Sequence, residues 1–352
     1  MKIGIIQSVI GGGGGNDRVL FSLLDKLKTT DHSVTLYTIG QPRVDLKGYD
    51  IKKIKKVFPI KLPLFGLYQK LLEPMLAKKA QHEDVLVALT GDLFLPISRK
   101  QRMIFYSQNN FSDPSKMNTS KYKSGMWKLY YAPYKKQIAK LMKNIGNYNV
   151  EFVANSLYVA EQMRKGIGKN PSVIYPPVNI DEFKNENKDR DGLITVTRYA
   201  REKNLETVIE IMKNYQGSKR IFGSVSEVDR PYMNELIKKG KEYGIKFDIN
   251  QPREVMKKLL EKSKVFISAS DETFGIAIIE AIASGCVPLV PDTTAHRETV
   301  PYTALRFTDD VTVKLQMIME YDFPKMNELQ EHIKQFDESK FQDKFLKVIE
   351  NG

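Results

Sequence analysis

Nine short runs rich in β-branched and aromatic residues alternate with stretches whose apolar residues fall at helical spacing. In the first half they read "KIGIIQSV", "SVTLYTI", "VLVALTG", "MIFYSQ" and "EFVANS". In the second they read "GLITVTR", "SKRIFGS", "KVFISAS" and "CVPLVPD". A helix between successive strands is a crossover, and a crossover joins parallel neighbours. Parallel sheets must be covered on both faces, so the fold class is α/β. At 352 residues the chain favours two such domains over one.

The division is expected near Val178. There "SVIYPPVNIDEFKNENKDRDG" runs from a strand into two prolines and then into charged text, which is linker chemistry. This gives an N-terminal domain over 1–178, a C-terminal domain over 179–335, and a tail over 336–352. A last helix around Lys340–Ile349 could pack on either half, a return to the first included. Residues 1–180 carry 28 Lys and Arg against 12 Asp and Glu, whereas residues 181–352 carry 27 against 30. A basic half joined to a near-neutral half points to an anionic partner for the first alone.

Cys286 is the single cysteine, so no intramolecular disulfide can form, and a reducing cytoplasmic compartment fits. Its apolar surroundings mark it as a core residue rather than a nucleophile. "MKIGIIQSVIG" reads as a first strand, not a secretory signal. No run of about 18 apolar residues marks a membrane span.

The most informative stretch is "SDETFGIAIIEAIASGCVPLV", residues 270–290, where Glu272 and Glu280 stand in apolar text. A carboxylate there is costly to bury unless something binds it. Glu272 falls on the loop after the strand "KVFISAS", and Glu280 lies inside the short helix that ends at Gly285. Such loops sit at the carboxyl edge of a parallel sheet, where ligands bind. The helix start near Gly275 offers free N–H groups to a phosphate. Carboxylates are natural partners of sugar hydroxyl pairs.

"TVTRYAREKNLETVIEIM", residues 195–212, places Arg198 at a strand end and Lys203 before an amphipathic helix, with Arg201 nearby. Two fixed cations there can grip a diphosphate; a solvated charged loop is the alternative reading. "GGGGGNDRV", residues 11–19, follows the first strand. Glycines let backbone approach a phosphate, and a flexible surface turn is the alternative.

Together these stretches resemble the GT-B glycosyltransferases, specifically the large retaining family 4 (glycosyltransferase group 1). "DETFGIAIIEAIASGCVPLV" is similar to that family's Glu-x7-Glu signature, "RYAREKN" to its Arg-x4-Lys clamp, and "GGNDRV" to its glycine loop. "VANSLYVAEQM" and "VIYPPVNIDEF" resemble its segments before the interdomain linker. The resemblance implies two Rossmann-like domains facing across a cleft and transfer of a hexose-type sugar from a nucleotide diphosphate. Arg198 and Lys203 would then hold the diphosphate, Glu272 the transferred sugar, and Glu280 the ribose. Phe274, Gly275 and Ile276 would line the donor, and Gly14 and Gly15 would approach the diphosphate and the acceptor from the other domain.

Two places depart from the family pattern. "IFYSQNNF" puts Gln108 where the family often has a histidine, and Gln cannot carry a proton at neutral pH. "DTTAHRETV" puts Ala295, His296 and Arg297 where a glycine pair usually precedes the glutamate matched by Glu298. His296 could face the donor or be a solvated loop residue. No cofactor is called for. "DRD" at 189–191 has the form of a metal motif but sits in linker text, so a metal is not implied.

Other functions remain open at this level. Glu272 and Glu280 could be the acid and nucleophile of a glycoside hydrolase, which does not need Arg198 and Lys203. A nucleotide-sugar epimerase on the same architecture is another reading. The basic half could bind nucleic acid, though its aromatics form no recognisable RNA-binding motif. For the acceptor, two segments matter. Residues 51–72 mix Lys52, Lys53, Lys55, Lys56 and Lys61 with Phe58, Leu62, Leu64 and Phe65. Residues 121–144 set lysines around Trp127, Tyr130 and Tyr131. Lysines with interfacial aromatics suit an anionic membrane surface, hence a lipid-linked or glycan acceptor and a peripheral place on the cytoplasmic membrane face. A solvated basic helix beside core aromatics is the alternative.

Overall fold

The computed structural model describes residues 1–56, 72, 75–89, 100–109, 136, 144–185, 187, 189–320 and 323–351. They form two compact units, Met1–Pro177 with Ser339–Gly352, and Val178–Glu338.

The first unit holds a seven-stranded sheet: β1 Lys2–Ile6, β2 Ser33–Thr38, β3 Ile51–Lys56, β4 Val85–Ala88, β5 Arg102–Ser107, β6 Val150–Ala154 and β7 Ser172–Val173. The order is β3-β2-β1-β4-β5-β6-β7, and every pairing is parallel. The winding reverses between β1 and β4, the place where open α/β sheets bind ligands. Helix α1, Gly15–Leu27, buries Val19, Leu20, Leu23, Leu24 and Leu27 against Ile3 and Ile5 of β1. Helix α2, Leu157–Ile167, starts where the Ser156 hydroxyl accepts from the Val159 N–H at 3.1 Å and ends on the left-handed Gly168.

The C-terminal helix Glu338–Glu350 belongs almost wholly to this unit. Phe341, Phe345 and Ile349 recur at helical spacing and are buried in the β1–α1 core. Tyr106 of β5 packs edge-on against both phenylalanines, centroids 6.2 and 5.5 Å away. Each fully buried ring is worth about 1.5–3 kcal/mol. Arg102 donates to the Ile349 carbonyl at 2.6 Å, a cation at a helix C-terminus.

Strand β3 corrects the helical alternative for the basic segment over 51–56. "IKKIKK" is an edge strand, with Lys52, Lys53 and Ile54 exposed. Lysines on an edge keep other strands from adding to it. Lys55 lies over the Tyr37 ring and donates to its hydroxyl at 3.1 Å. Phe58, Lys61, Leu62, Leu64 and Phe65, like Trp127, Tyr130 and Tyr131, fall outside the described residues.

The second unit holds β8 Leu193–Val196, β9 Lys219–Gly223, β10 Lys246–Ile249, β11 Val265–Ile267, β12 Val287–Pro291 and β13 Arg306–Phe307. Their order is β10-β9-β8-β11-β12-β13, again all parallel, with the reversal between β8 and β11. The helices that bear on the site are α3 Leu205–Met212, α4 Arg230–Lys241, α5 Arg253–Lys262, α6 Ile276–Ala283 and α7 His296–Thr299. Both sheets are thus parallel and flanked by helices, two Rossmann-like units.

The "DRD" text at 189–191 is tied to helix ends. Arg190 donates to Leu260 O at 3.1 Å and Ser263 O at 3.3 Å, where α5 ends, and to Ser284 O after α6. The Asp191 N–H donates to Lys262 O at 3.0 Å. Cys286 is buried, and that burial pushes its thiol up to about 12.

Candidate functional site

The strands that flank the reversal in the second unit, β8 and β11, deliver the charged residues that the sequence singles out. After β8 the chain passes close over β9: a Cβ on Gly223 would meet Thr197 O at 1.7 Å, so only glycine fits there. Tyr199 is buried and donates to Ile221 O at 2.7 Å, anchoring the turn. One short helical turn, Arg201–Lys203, follows, and Asn204 then takes a left-handed φ of 48° and donates to Ala269 O at 3.1 Å. Asn204 thereby joins the loop after β8 to the loop after β11.

That junction brings Lys203 to Glu272, with Nζ 2.7 Å from Oε1 and side chains 15% and 22% exposed. Ser270 Oγ donates to the same oxygen at 3.0 Å. The Glu272 backbone is fixed too: its N–H donates to Thr294 Oγ1 at 3.2 Å, and its carbonyl accepts from Ala295 N at 3.3 Å. Arg198 stands in the open and donates to Glu202 at 3.0 Å. Arg201 points elsewhere, over the Tyr232 ring of α4 at 4.7 Å.

Helix α6 begins at Gly275, whose φ of 93° is open to glycine and strained for any side chain. It ends in a Schellman turn: Gly285 N donates to Ile282 O and Cys286 N to Ala281 O, both at 2.9 Å. Phe274 is buried edge-on against Phe336, centroids 5.2 Å apart, whereas Ile276 is only half-buried. Eight residues on from Glu272, Glu280 is 1% exposed and accepts from Arg253 Nη2 at 2.8 Å.

Arg253 is a site residue that sequence reasoning missed. It opens α5, grips Glu182 through Nε and Nη2 at 2.9 and 3.0 Å, and stacks over Phe183 at 4.9 Å. Desolvation pulls its guanidinium down, but the two carboxylates outweigh it and the net shift is upward. No local pattern could reveal the link, because Glu182, Arg253 and Glu280 lie on three separate elements.

His296 is not the solvated loop residue allowed for. It is fully buried at the start of α7, and Nε2 donates to the Ser270 carbonyl at 2.9 Å. A carbonyl only accepts, so that nitrogen carries the proton. Burial lowers the imidazole below its usual range, against the pull of the Ser270 carbonyl and of Glu272 and Asp271. His296 is therefore a neutral brace beneath the Ser270–Glu272 loop.

In the first unit the glycine loop follows β1 at the winding reversal. Gly14 caps α1, and Gly15 is its first residue. Asp17, buried in the first turn, accepts from Gly11 N at 3.0 Å, Gly13 N at 2.7 Å and Gln7 Nε2 at 2.9 Å. The loop's own carboxylate thus takes two of its N–H groups; the spacing of Asp17 behind the glycines was the available signal. Gln108 lies half-buried just past β5. Among the described residues no cluster of His, Cys, Asp and Glu is placed to hold a metal ion, and no helix is long and apolar enough to cross a membrane.

Comparison with known proteins bears on this geometry. Residues 179–303 match the family described as glycosyl transferases group 1. A curated relative, the GDP-Man:Man(3)GlcNAc(2)-PP-Dol alpha-1,2-mannosyltransferase of Dictyostelium discoideum, is 22% identical over 283 residues, 69% of this chain. The match spans about half of that relative, 54% of its length. Among solved structures, the Anabaena protein HepE in complex with UDP-glucose superposes with a TM-score of 0.72 at 15% identity, covering all of both chains. The lipopolysaccharide outer core galactosyltransferase WaaB gives a TM-score of 0.63 at 14% identity, covering 99% of each. These likenesses make the fold GT-B-like.

Proposed function

We propose that the chain is a retaining glycosyltransferase that moves a hexose-type sugar from a nucleoside-diphosphate donor to a lipid-linked or saccharide acceptor. The observation that carries the reading is the meeting of Lys203 and Glu272 at the reversal between β8 and β11, with Arg198 on the same loop as Lys203. A cation for a diphosphate and a carboxylate for hydroxyls stand on adjacent loops within the segment that matches the group 1 glycosyl transferases. HepE, of similar fold, is complexed with UDP-glucose, and the Dictyostelium relative is named for a GDP-mannose donor and a dolichol-linked acceptor. Both support a nucleotide-sugar donor, and the second supports a lipid-linked acceptor.

In this reading Arg198, Lys203 and the N–H groups at the start of α6 gather the diphosphate. Because Phe274 is buried, that residue meets the ligand through its backbone, and Gly275 makes the left-handed turn that starts α6 there. Glu272 receives the sugar hydroxyls and Glu280 the ribose. His296 acts from beneath, bracing the loop of Glu272. As the bond between the anomeric carbon and the phosphate oxygen breaks, the preorganised cations meet the growing negative charge. The acceptor oxygen bonds to the anomeric carbon on the same face, and its proton passes to the leaving diphosphate. The charges are neutralised by side chains, so no metal is invoked.

The first unit, 1–178, is read as the acceptor side, with Gly14, Gly15 and Gln108 along the carboxyl edge of its sheet. Its basic excess and the exposed Lys52 and Lys53 fit an anionic membrane surface on the cytoplasmic side. The test is turnover of a radiolabelled sugar nucleotide with membrane lipid extract as acceptor. Lys203→Ala and Arg198→Ala should each cut transfer by roughly 10²–10³ while the circular dichroism spectrum stays unchanged. Near-native turnover in both variants would end the diphosphate assignment.

A further inference from the structure

Lys203 and Glu272 are assigned to different parts of one ligand, the diphosphate and the sugar, yet in the structure they hold each other at 2.7 Å. Among the described residues Lys203 is the one cation within ion-pair reach of Glu272, since Arg198 turns to Glu202 and His296 is neutral. Both side chains are more than three-quarters buried, so the pair is shielded from solvent and counter-ions. Ser270 Oγ holds the carboxylate oxygen, and the bonds to Thr294 and Ala295 fix the main chain that carries it.

We infer that Glu272 sets the preference for an intact sugar nucleotide over the free nucleoside diphosphate, and that it does so through Lys203. The inference rests on the donor reading above. A free diphosphate that draws on Lys203 takes the ammonium from Glu272. It offers nothing in return, so the carboxylate is left without its ammonium in a shielded place. A sugar nucleotide makes the same demand on Lys203 but brings hydroxyls, and these donate to Glu272 in place of the ammonium. The pair therefore penalises the product and spares the donor. Once the sugar has left, Lys203 returns to Glu272 and the diphosphate is released.

The rival account is plain charge repulsion between Glu272 and any phosphate, with Lys203 a bystander. Calorimetric titration with UDP, GDP, UDP-glucose and GDP-mannose separates the two. The proteins are the full chain, Glu272→Gln, Lys203→Met and the double variant, with Glu272→Ala as the substitute should Glu272→Gln fail to fold. Glu272→Gln should bind the diphosphate about tenfold more tightly, about 1.4 kcal/mol, and the matching sugar nucleotide less tightly. In the Lys203→Met background the same change should move diphosphate affinity by less than about twofold. A gain in affinity is not something misfolding can imitate. An unchanged diphosphate Kd in Glu272→Gln overturns the inference, and so does an equal gain with Lys203 removed, which would mean repulsion. Binding of neither ligand class by the unmodified chain would overturn the donor reading itself, and this inference with it.

Discussion

Arg253 Nη2 lies 2.8 Å from Oε1 of Glu280, a carboxylate that is 1% exposed, while the same guanidinium holds Glu182 with a two-pronged grip. One side chain thus joins the segment after the domain boundary, the start of α5 and the middle of α6.

Arg253→Ala should destabilise the protein, because it strands a buried carboxylate. Loss of one partner of a buried pair costs about 3–5 kcal/mol, and the partial exposure of Arg253 argues for the lower end. Arg253→Lys should recover only part, since an ammonium has no fork with which to hold Glu182 at two points while reaching Glu280. Urea unfolding reads this directly, and a loss below about 0.5 kcal/mol in Arg253→Ala would show that the pair does not bear on the fold.

Glu280→Ala should weaken binding of the free nucleoside diphosphate, because Glu280 is read as the ribose ligand. A hydrogen bond to a charged group is worth about 1.5–3 kcal/mol, roughly 10- to 150-fold in Kd. Glu272→Ala should instead weaken the sugar nucleotide, while the diphosphate is held as well or better. Calorimetry on both variants with both ligands decides it, and parallel losses would remove the division of labour.

Stability should fall in acid through His296. Its pKa is lowered in the folded protein, so between that value and the ordinary histidine value of about 6.5 the unfolded chain binds the extra proton and the native one does not. The contribution is complete above about pH 6.5 and is lost as pH falls toward the folded value. His296→Gln should flatten that part of the stability profile. Urea midpoints between pH 7.5 and pH 5 test this, and identical slopes in the two proteins would refute it.

The membrane reading can be narrowed to two lysines. Lys55 is engaged with Tyr37 and Lys56 with Gln41, whereas Lys52 and Lys53 are exposed on the edge strand β3. Charge reversal at Lys52 and Lys53 should therefore leave the fold intact and reduce sedimentation with phosphatidylserine vesicles at low salt. Each lysine near such a surface is worth about 1 kcal/mol, and salt screens it. Absence of vesicle binding by the unmodified chain at low salt would favour a soluble acidic acceptor.

What could be read from the sequence was local. The strands with β-branched runs, the short helix between Gly275 and Gly285, and the spacing of Glu272 and Glu280 all show in a window of a few residues. The edge strand "IKKIKK" did not, because lysines meant to stay solvated break the hydrophobic alternation that marks a strand. The two-residue β13 is too short to carry any period. Lys203 and Glu272 were both marked, but their contact depends on β8 and β11 being neighbours across the winding reversal. Arg253 stayed hidden for the same reason, since it gains its meaning from two distant carboxylates; Asp17 is a local case, its carboxylate closing on N–H groups four and six residues back.

The most direct measurement is thermal unfolding of the unmodified chain and of Lys203→Ala against a panel of UDP- and GDP-sugars. Ligand binding to the folded state alone raises the midpoint, increasingly so above Kd. At least one sugar nucleotide should raise the midpoint of the unmodified chain by several degrees, and the shift should largely vanish in Lys203→Ala. No shift with any member of the panel, or a shift that survives the loss of Lys203, would contradict the assignment of the β8–β11 reversal as the donor site.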